Sequence, residues 1–307
     1  MTGEPRTPDP ERRRPRGTTG VRQAGAALVT IATVAGAAVA LVLVQWALGR
    51  GGHTATARSP EYFTWSVAAV VGVVIYFHVF ARTLGHVRPP SRAAFLISAG
   101  AYVVLAGLVV VLLTGKAPAG TLPTVPSVMR PLYLVAELCA APAVLTLWLA
   151  PARLRQLRLK APGTLDGLLT LRADINRSLT ALSLIASSGL INTAVLRRAH
   201  LAHGLKPDQF PITLVLVYGA ALTGVVALVC IPAFLAWRDR ALALINAVYP
   251  LPKDARPSEA WSDGRARLTT LVSPDVTVGK TVSVALGVLA PLGTALLAYY
   301  LPELKAK

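Results

Sequence analysis

The sequence predicts an all-α fold: a polytopic integral membrane helix bundle of about seven transmembrane helices. Apolar residues make up 54% of the 307-residue chain and charged residues only 15%, against about a quarter charged in soluble domains. The excess is gathered into long blocks rather than spread at helical or strand period. Such blocks are long enough to cross roughly 30 Å of hydrocarbon at about 1.5 Å per residue. Residues 26–44 (AALVTIATVAGAAVALVLV) show no polar stripe, so lipid or other apolar helices must surround them on all sides.

The spans follow in order. Residues 1–23 carry Arg6, Arg12, Arg13, Arg14, Arg16 and Arg22 with several prolines and no apolar periodicity, the composition of a disordered basic cytoplasmic tail. The apolar stretch 24–48 is too long for a cleavable signal sequence and reads as an uncleaved signal anchor. Further spans are expected at 63–82, 93–113, 132–149, 178–196, 212–236 and 281–300. Pro131 and Pro211 fit the first helical position of their spans, and Pro89-Pro90 stops the span before it. The chain then divides into a four-helix transmembrane block (24–150), a basic cytoplasmic linker (151–177), and a three-helix block (178–307) with a cytoplasmic loop at 237–280.

Orientation follows from the basic residues. With the N-terminus inside and seven spans, 22 of the 31 Lys and Arg fall on the inner side and 9 on the outer, which places the C-terminus outside. Segment 178–196 is the weakest span, with four serines, two threonines and an asparagine. If it lies at the interface there are six spans, and the tally becomes 20 to 11. The net charge of +17 is explained by this lipid-facing bias, so nucleic acid is not expected as a partner. A bacterial-type cytoplasmic membrane fits the Ala, Val and Arg-rich composition.

Chemistry-bearing residues are few. Glu137 lies about six residues inside its span, where a carboxylate charge costs roughly 2 kcal/mol or more unless it is paired, wet or protonated. It is a candidate proton or cation site, or simply a carboxyl bonded to a neighbouring helix or reaching a water cavity on the outer side. His78 stands near the inner end of the second span with Arg82 one turn on, and suits an interfacial anchor as well as a titrating group. Ser183, Ser187, Ser188, Gly189 and Asn192 make 178–196 polar, as in a solute-contacting helix or a tightly packed one. Glu137, His78, Ser187 and Asn192 together form the candidate intramembrane polar site. His200 and His203 share the spacing of a helix-borne metal pair, but no third ligand is near, so no metal is expected.

Ala32-x-x-x-Gly36-x-x-x-Ala40 and Ala68-x-x-x-Gly72 are small-residue faces suited to close helix contact. Pro232 and Pro291 would kink their helices. In the loop, Leu242, Ile245 and Tyr249 fall along one helix face, as in a segment lying on a membrane. Cys139 and Cys230 are expected to act as small buried hydrophobes. No phosphate-binding glycine loop, zinc-protease motif, nucleophile elbow or paired carboxylates occur, so neither catalysis nor a cofactor is expected. With a single acidic residue inside the membrane, the sequence favours a non-catalytic accessory or scaffold subunit, contacting a partner membrane protein through small-residue faces or loop 237–280; the alternative is a small-solute or ion transporter with its path near Glu137 and helix 178–196. In both the lipid bilayer is the first partner.

Overall fold

The computed structural model describes residues 36–38, 59–113, 124–159, 161, 163–252, 257–272 and 293. Among these the chain is helical, without strands. It forms α1 (Pro60–Leu84), α2 (Arg92–Leu113), α3 (Thr124–Gln156), α4 (Thr164–Ala202), α5 (Ile212–Val248) and α6 (Glu259–Val272). Five of them, α1 to α5, are long and apolar enough to cross a membrane. The stretches expected to form the first and last spans, 24–48 and 281–300, lie largely outside the described residues, as do the N-terminal tail and Pro291.

Local chemistry sets the helix ends. Ser59 caps α1 by accepting the Tyr62 N–H at 3.4 Å, and Pro60 follows at the start, where a missing N–H costs no helical bond. Ser91 accepts the Ala94 N–H at 3.1 Å at the start of α2. Pro211 stands just before α5, one residue ahead of the expected position. Pro131 does not open its helix: α3 begins at Thr124 and runs through Pro131, Pro142 and Pro151. Membrane helices tolerate such prolines because local adjustments and neighbours satisfy the freed carbonyls. α5 likewise continues through Pro232.

The helices also reach beyond the expected spans at their arginine-rich ends. The basic stretch 151–177 is mostly helix, interrupted only between Gln156 and Thr164. Its Leu168, Leu171 and Ile175 repeat at helical spacing and are buried in the main core with Leu179 and Leu182 of the apolar segment. Part of loop 237–280 is a direct extension of α5 to Val248, with Ala241, Leu244 and Ile245 buried.

α3 and α4 form the middle of the bundle. α4 packs on α1, α3 and α5, α3 also meets α1 and α5, and α2 lies chiefly against α3. The most apolar window of α4 is 61% buried within the bundle, whereas that of α2 is 6% buried. Segment 178–196 is therefore an inner helix, and Ser178, Ser183, Ser188, Asn192 and Thr193 are buried in the protein while Thr180 is exposed. Several of its hydroxyls bond their own helix: Ser183 Oγ donates to the Leu179 carbonyl and Thr193 Oγ1 to that of Gly189, each at 2.9 Å.

α1 and α4 run antiparallel. Tyr62 Oη and His200 Nδ1 are hydrogen-bonded at 2.8 Å at one end, and His86 Nδ1 lies 3.1 Å from Asp174 Oδ1 at the other. Between them Gly72 permits close approach: a methyl group there would stand 3.0 Å from Ser188 Oγ. The small-residue face at Ala68 and Gly72 thus meets α4. Beyond the bundle, α6 docks on the end of α5, where Arg265 donates to the Tyr249 carbonyl and to Asn246 Oδ1, both at 3.0 Å.

Candidate functional site

Glu137 stands on the face of α3 that also carries Tyr133, Ala136 and Ala140, at spacings of three and four residues. That face looks toward Ile185, Ala186, Gly189, Leu190 and Thr193 of α4, which recur at the same spacing. With Tyr76 of α1 and Tyr218 and Leu222 of α5, Tyr133, Ala136 and Glu137 and these α4 residues line a partly open cavity of about 50 Å³. A water needs roughly 10–15 Å³ of such space, so the cavity has room on the order of three waters or one small ion.

The polar residues among its lining are Glu137, Tyr76, Tyr133, Tyr218 and Thr193. Ser188 Oγ and Tyr76 Oη both lie beside Gly72, at 3.0 and 3.5 Å from where its methyl group would stand. From the far side, Tyr102 of α2 donates to the backbone carbonyl of Glu137 and lies 3.4 Å from its Oε2. Among the described residues, Glu137 has no Lys, Arg or His within ion-pair distance. Tyr102 is thus the one neutral donor set against this carboxyl among the described residues, the arrangement expected of a carboxyl bonded to a neighbouring helix.

Of the four residues read together from the sequence, Glu137 alone lines this cavity. His78 is exposed on the outward side of α1, while Tyr76, two residues earlier, faces inward. Ser187 and Asn192 lie on α4 outside the lining, and Gly189 and Thr193 take the positions facing Glu137. Asn192 is 5% exposed, and its Oδ1 has no hydrogen-bond partner among the described residues; Ser187 Oγ and Trp65 Nε1 share that condition. The tyrosines were not legible as a set because single aromatics in apolar blocks look like ordinary packing. Only the α3 spacing of Tyr133 and Glu137 signals that they share a face.

A second polar cluster closes the arginine-rich end. Asp174 of α4 is 4% exposed and meets Arg153 of α3 at 3.4 Å, Arg177 at 3.3 Å and His86 at 3.1 Å. Arg177 Nη1 also lies 2.7 Å from His86 Nε2. This group ties α1, α3 and α4 together. Sequence reading missed it by treating 151–177 as linker, although the Leu168, Leu171, Ile175 repeat extends the helix through Asp174.

At the opposite end of α4, His200 is buried against Tyr62 and Phe210. His203 donates from Nδ1 to the Ala199 carbonyl at 2.9 Å. Among the described residues no three His, Cys, Asp or Glu gather as metal ligands, and Cys139 and Cys230 are free and buried. No family model, curated protein or solved structure matches the chain.

Proposed function

We propose that the protein is a small-ion carrier of the cytoplasmic membrane, with Glu137 as its proton- or cation-binding group and the space between α1, α3, α4 and α5 as the binding site. The observation that carries this reading is that Glu137, with no basic partner among the described residues, lines a cavity of about 50 Å³ together with three tyrosines and Thr193. Cavity size favours an ion over an organic solute, since only a few waters' worth of space is present. Carboxylate and phenol oxygens are hard donors suited to a proton or an alkali-type cation. On this account the chain has about seven spans, its N-terminus in the cytoplasm and its C-terminus outside, and works without catalysis.

The test is ion flux in proteoliposomes holding a pH-sensitive dye, with proton and monovalent-cation gradients applied separately. Wild type is expected to dissipate at least one gradient, and Glu137→Gln to abolish that flux while remaining folded. Equal flux in both proteins, or none in either, would overturn the carrier reading.

A second reading, an accessory subunit bound to a partner membrane protein, is favoured by α2. Leu96, Ile97, Val103, Val104 and Val111 are each about 70% exposed along it. The bilayer covers such a face equally well. Altered assembly of a co-purifying complex in the absence of flux would support this alternative.

A further inference from the structure

α5 is buried along one side only. Val226, Val229, Ala233 and Trp237 face the bundle, whereas Val217, Leu228, Ile231 and Leu235 on the other side are between 49% and 64% exposed. Ala221 and Gly224 belong to the same exposed stripe, and a methyl group at Gly224 would meet nothing within 4 Å. Their spacings of three and four residues join these positions into one continuous face, about five turns long. A face this apolar has to be covered by lipid or by another helix.

The chain that leaves α6 distinguishes this face from the exposed sides of α1 and α2. Val272, the last residue of α6, is buried in the main core, and its carbonyl accepts from Arg172 Nη1 at 3.0 Å. The same guanidinium lies 5.1 Å from the ring centroid of Trp237, which holds the end of α6 beside the end of the α5 stripe, two residues past Leu235. Residues 273–280 then lead to the apolar segment 281–300, and eight residues reach at most roughly 30 Å. Packed helices stand about 8–10 Å apart, so a place beside α5 is well within that reach. α4, which α6 also touches, is 61% buried along its apolar window against 28% for α5, and so offers less free surface. α1 and α2 pack on α3 and α4 rather than on α5, which puts their open sides farther away. The apolar stretch 24–48 is tied by residues 49–58 to the start of α1 instead. Segment 281–300 also carries Ser283, Gly287, Ala290, Thr294 and Ala298 at three- and four-residue spacing, a small-residue side that lets helices approach closely. Gly293, its one described residue, is helical.

We propose that segment 281–300 packs on the exposed face of α5 formed by Val217, Ala221, Gly224, Leu228, Ile231 and Leu235, with its small-residue side against Gly224. The two run antiparallel, because α6 returns the chain to the end of the stripe at Leu235. This contact does not rest on the ion-carrier reading and stands or falls without it.

The experiment uses the full chain reconstituted in lipid, in a Cys139→Ala, Cys230→Ala background. Leu228→Cys is combined in turn with a cysteine at each position from 286 to 293, and disulfides formed on oxidation are read by mass analysis of the linked peptides. Intramolecular disulfides are expected at positions that repeat every three or four residues. Ile97→Cys, on the exposed face of α2, is expected to form none with the same set. Disulfides between two copies at Leu228 would assign the face to a second copy, and the absence of any disulfide would assign it to lipid; either result overturns the proposal. Gly224→Leu tests the contact without cysteine chemistry. It is expected to lower the melting temperature in detergent by a few degrees by overfilling a helix contact, whereas Gly100→Leu on α2, where the space is equally open, leaves it unchanged. Should the cysteine variants not fold, a melting temperature for Gly224→Leu no lower than that of wild type would overturn the proposal by itself.

Discussion

Tyr102 of α2 reaches Glu137 of α3 twice, donating to its backbone carbonyl and approaching its carboxylate Oε2 at 3.4 Å. α2 has little other attachment, because it lies chiefly against α3 and most of its surface is exposed. The same hydroxyl thus holds an outlying helix and orients the one carboxyl in the candidate ion site. Tyr102→Phe is expected to cost about 1–3 kcal/mol of unfolding free energy, since it leaves a part-buried acceptor without its donor. Denaturant titration in detergent measures this cost, and a loss near zero would mean that the bond contributes nothing net.

Gly72 and Ser188 mark the closest approach of α1 and α4. Gly72→Ala places a methyl group 3.0 Å from Ser188 Oγ and is expected to destabilise by about 1 kcal/mol, with Gly72→Leu worse by a further 1–3 kcal/mol. Ser188→Ala in the same chain should recover most of the alanine cost. A double-mutant cycle with no coupling would show that the helices part without resistance there.

Asp174 and Arg177 separate a buried charge from an exposed one. Asp174→Asn leaves Arg153, Arg177 and His86 without their shared carboxylate and is expected to cost about 3 kcal/mol or more. Arg177→Gln removes a side chain that is 42% exposed and should cost less than about 1 kcal/mol. Thermal unfolding of the two variants side by side checks the order, which a merely superficial cluster would not reproduce.

Gly264 lies under the Tyr249 ring, where a methyl group would come within 2.6 Å of Oη. Gly264→Ala is expected to lift α6 from the end of α5, breaking the Arg265 and Trp261 bonds to the 249–250 carbonyls. Trp261 fluorescence should shift in this variant, and Tyr249→Ala should restore docking at the cost of the ring contact. An unchanged spectrum in Gly264→Ala would mean that the tyrosine simply swings aside.

What the sequence made legible was set by the strength of the energetic signal. Long apolar blocks identify membrane helices because each buried backbone and side chain obeys one rule, and α1, α2, α4 and α5 contain the blocks read at 63–82, 93–113, 178–196 and 212–236. Helix ends were less legible, since arginine-bearing turns such as 164–177 remain helical wherever leucines at helical spacing still reach the core. Glu137 was identifiable alone because an acidic residue in an apolar block is conspicuous. Its neighbours were not: whether Thr193 or Asn192 faces Glu137 depends on the rotation of α4 against α3, and small-residue motifs fix that a contact exists without fixing its partner.

Labelling by a hydrophobic carbodiimide, which attacks carboxyls within the membrane, tests the reading of Glu137 most directly. In the full chain reconstituted in lipid, peptide mass analysis is expected to find the adduct on Glu137, lost in Glu137→Gln and slowed by at least one monovalent cation or by raised pH. An adduct that forms at the same rate whatever the cation and pH, or no adduct at Glu137 in folded protein, would contradict an ion site at this carboxyl.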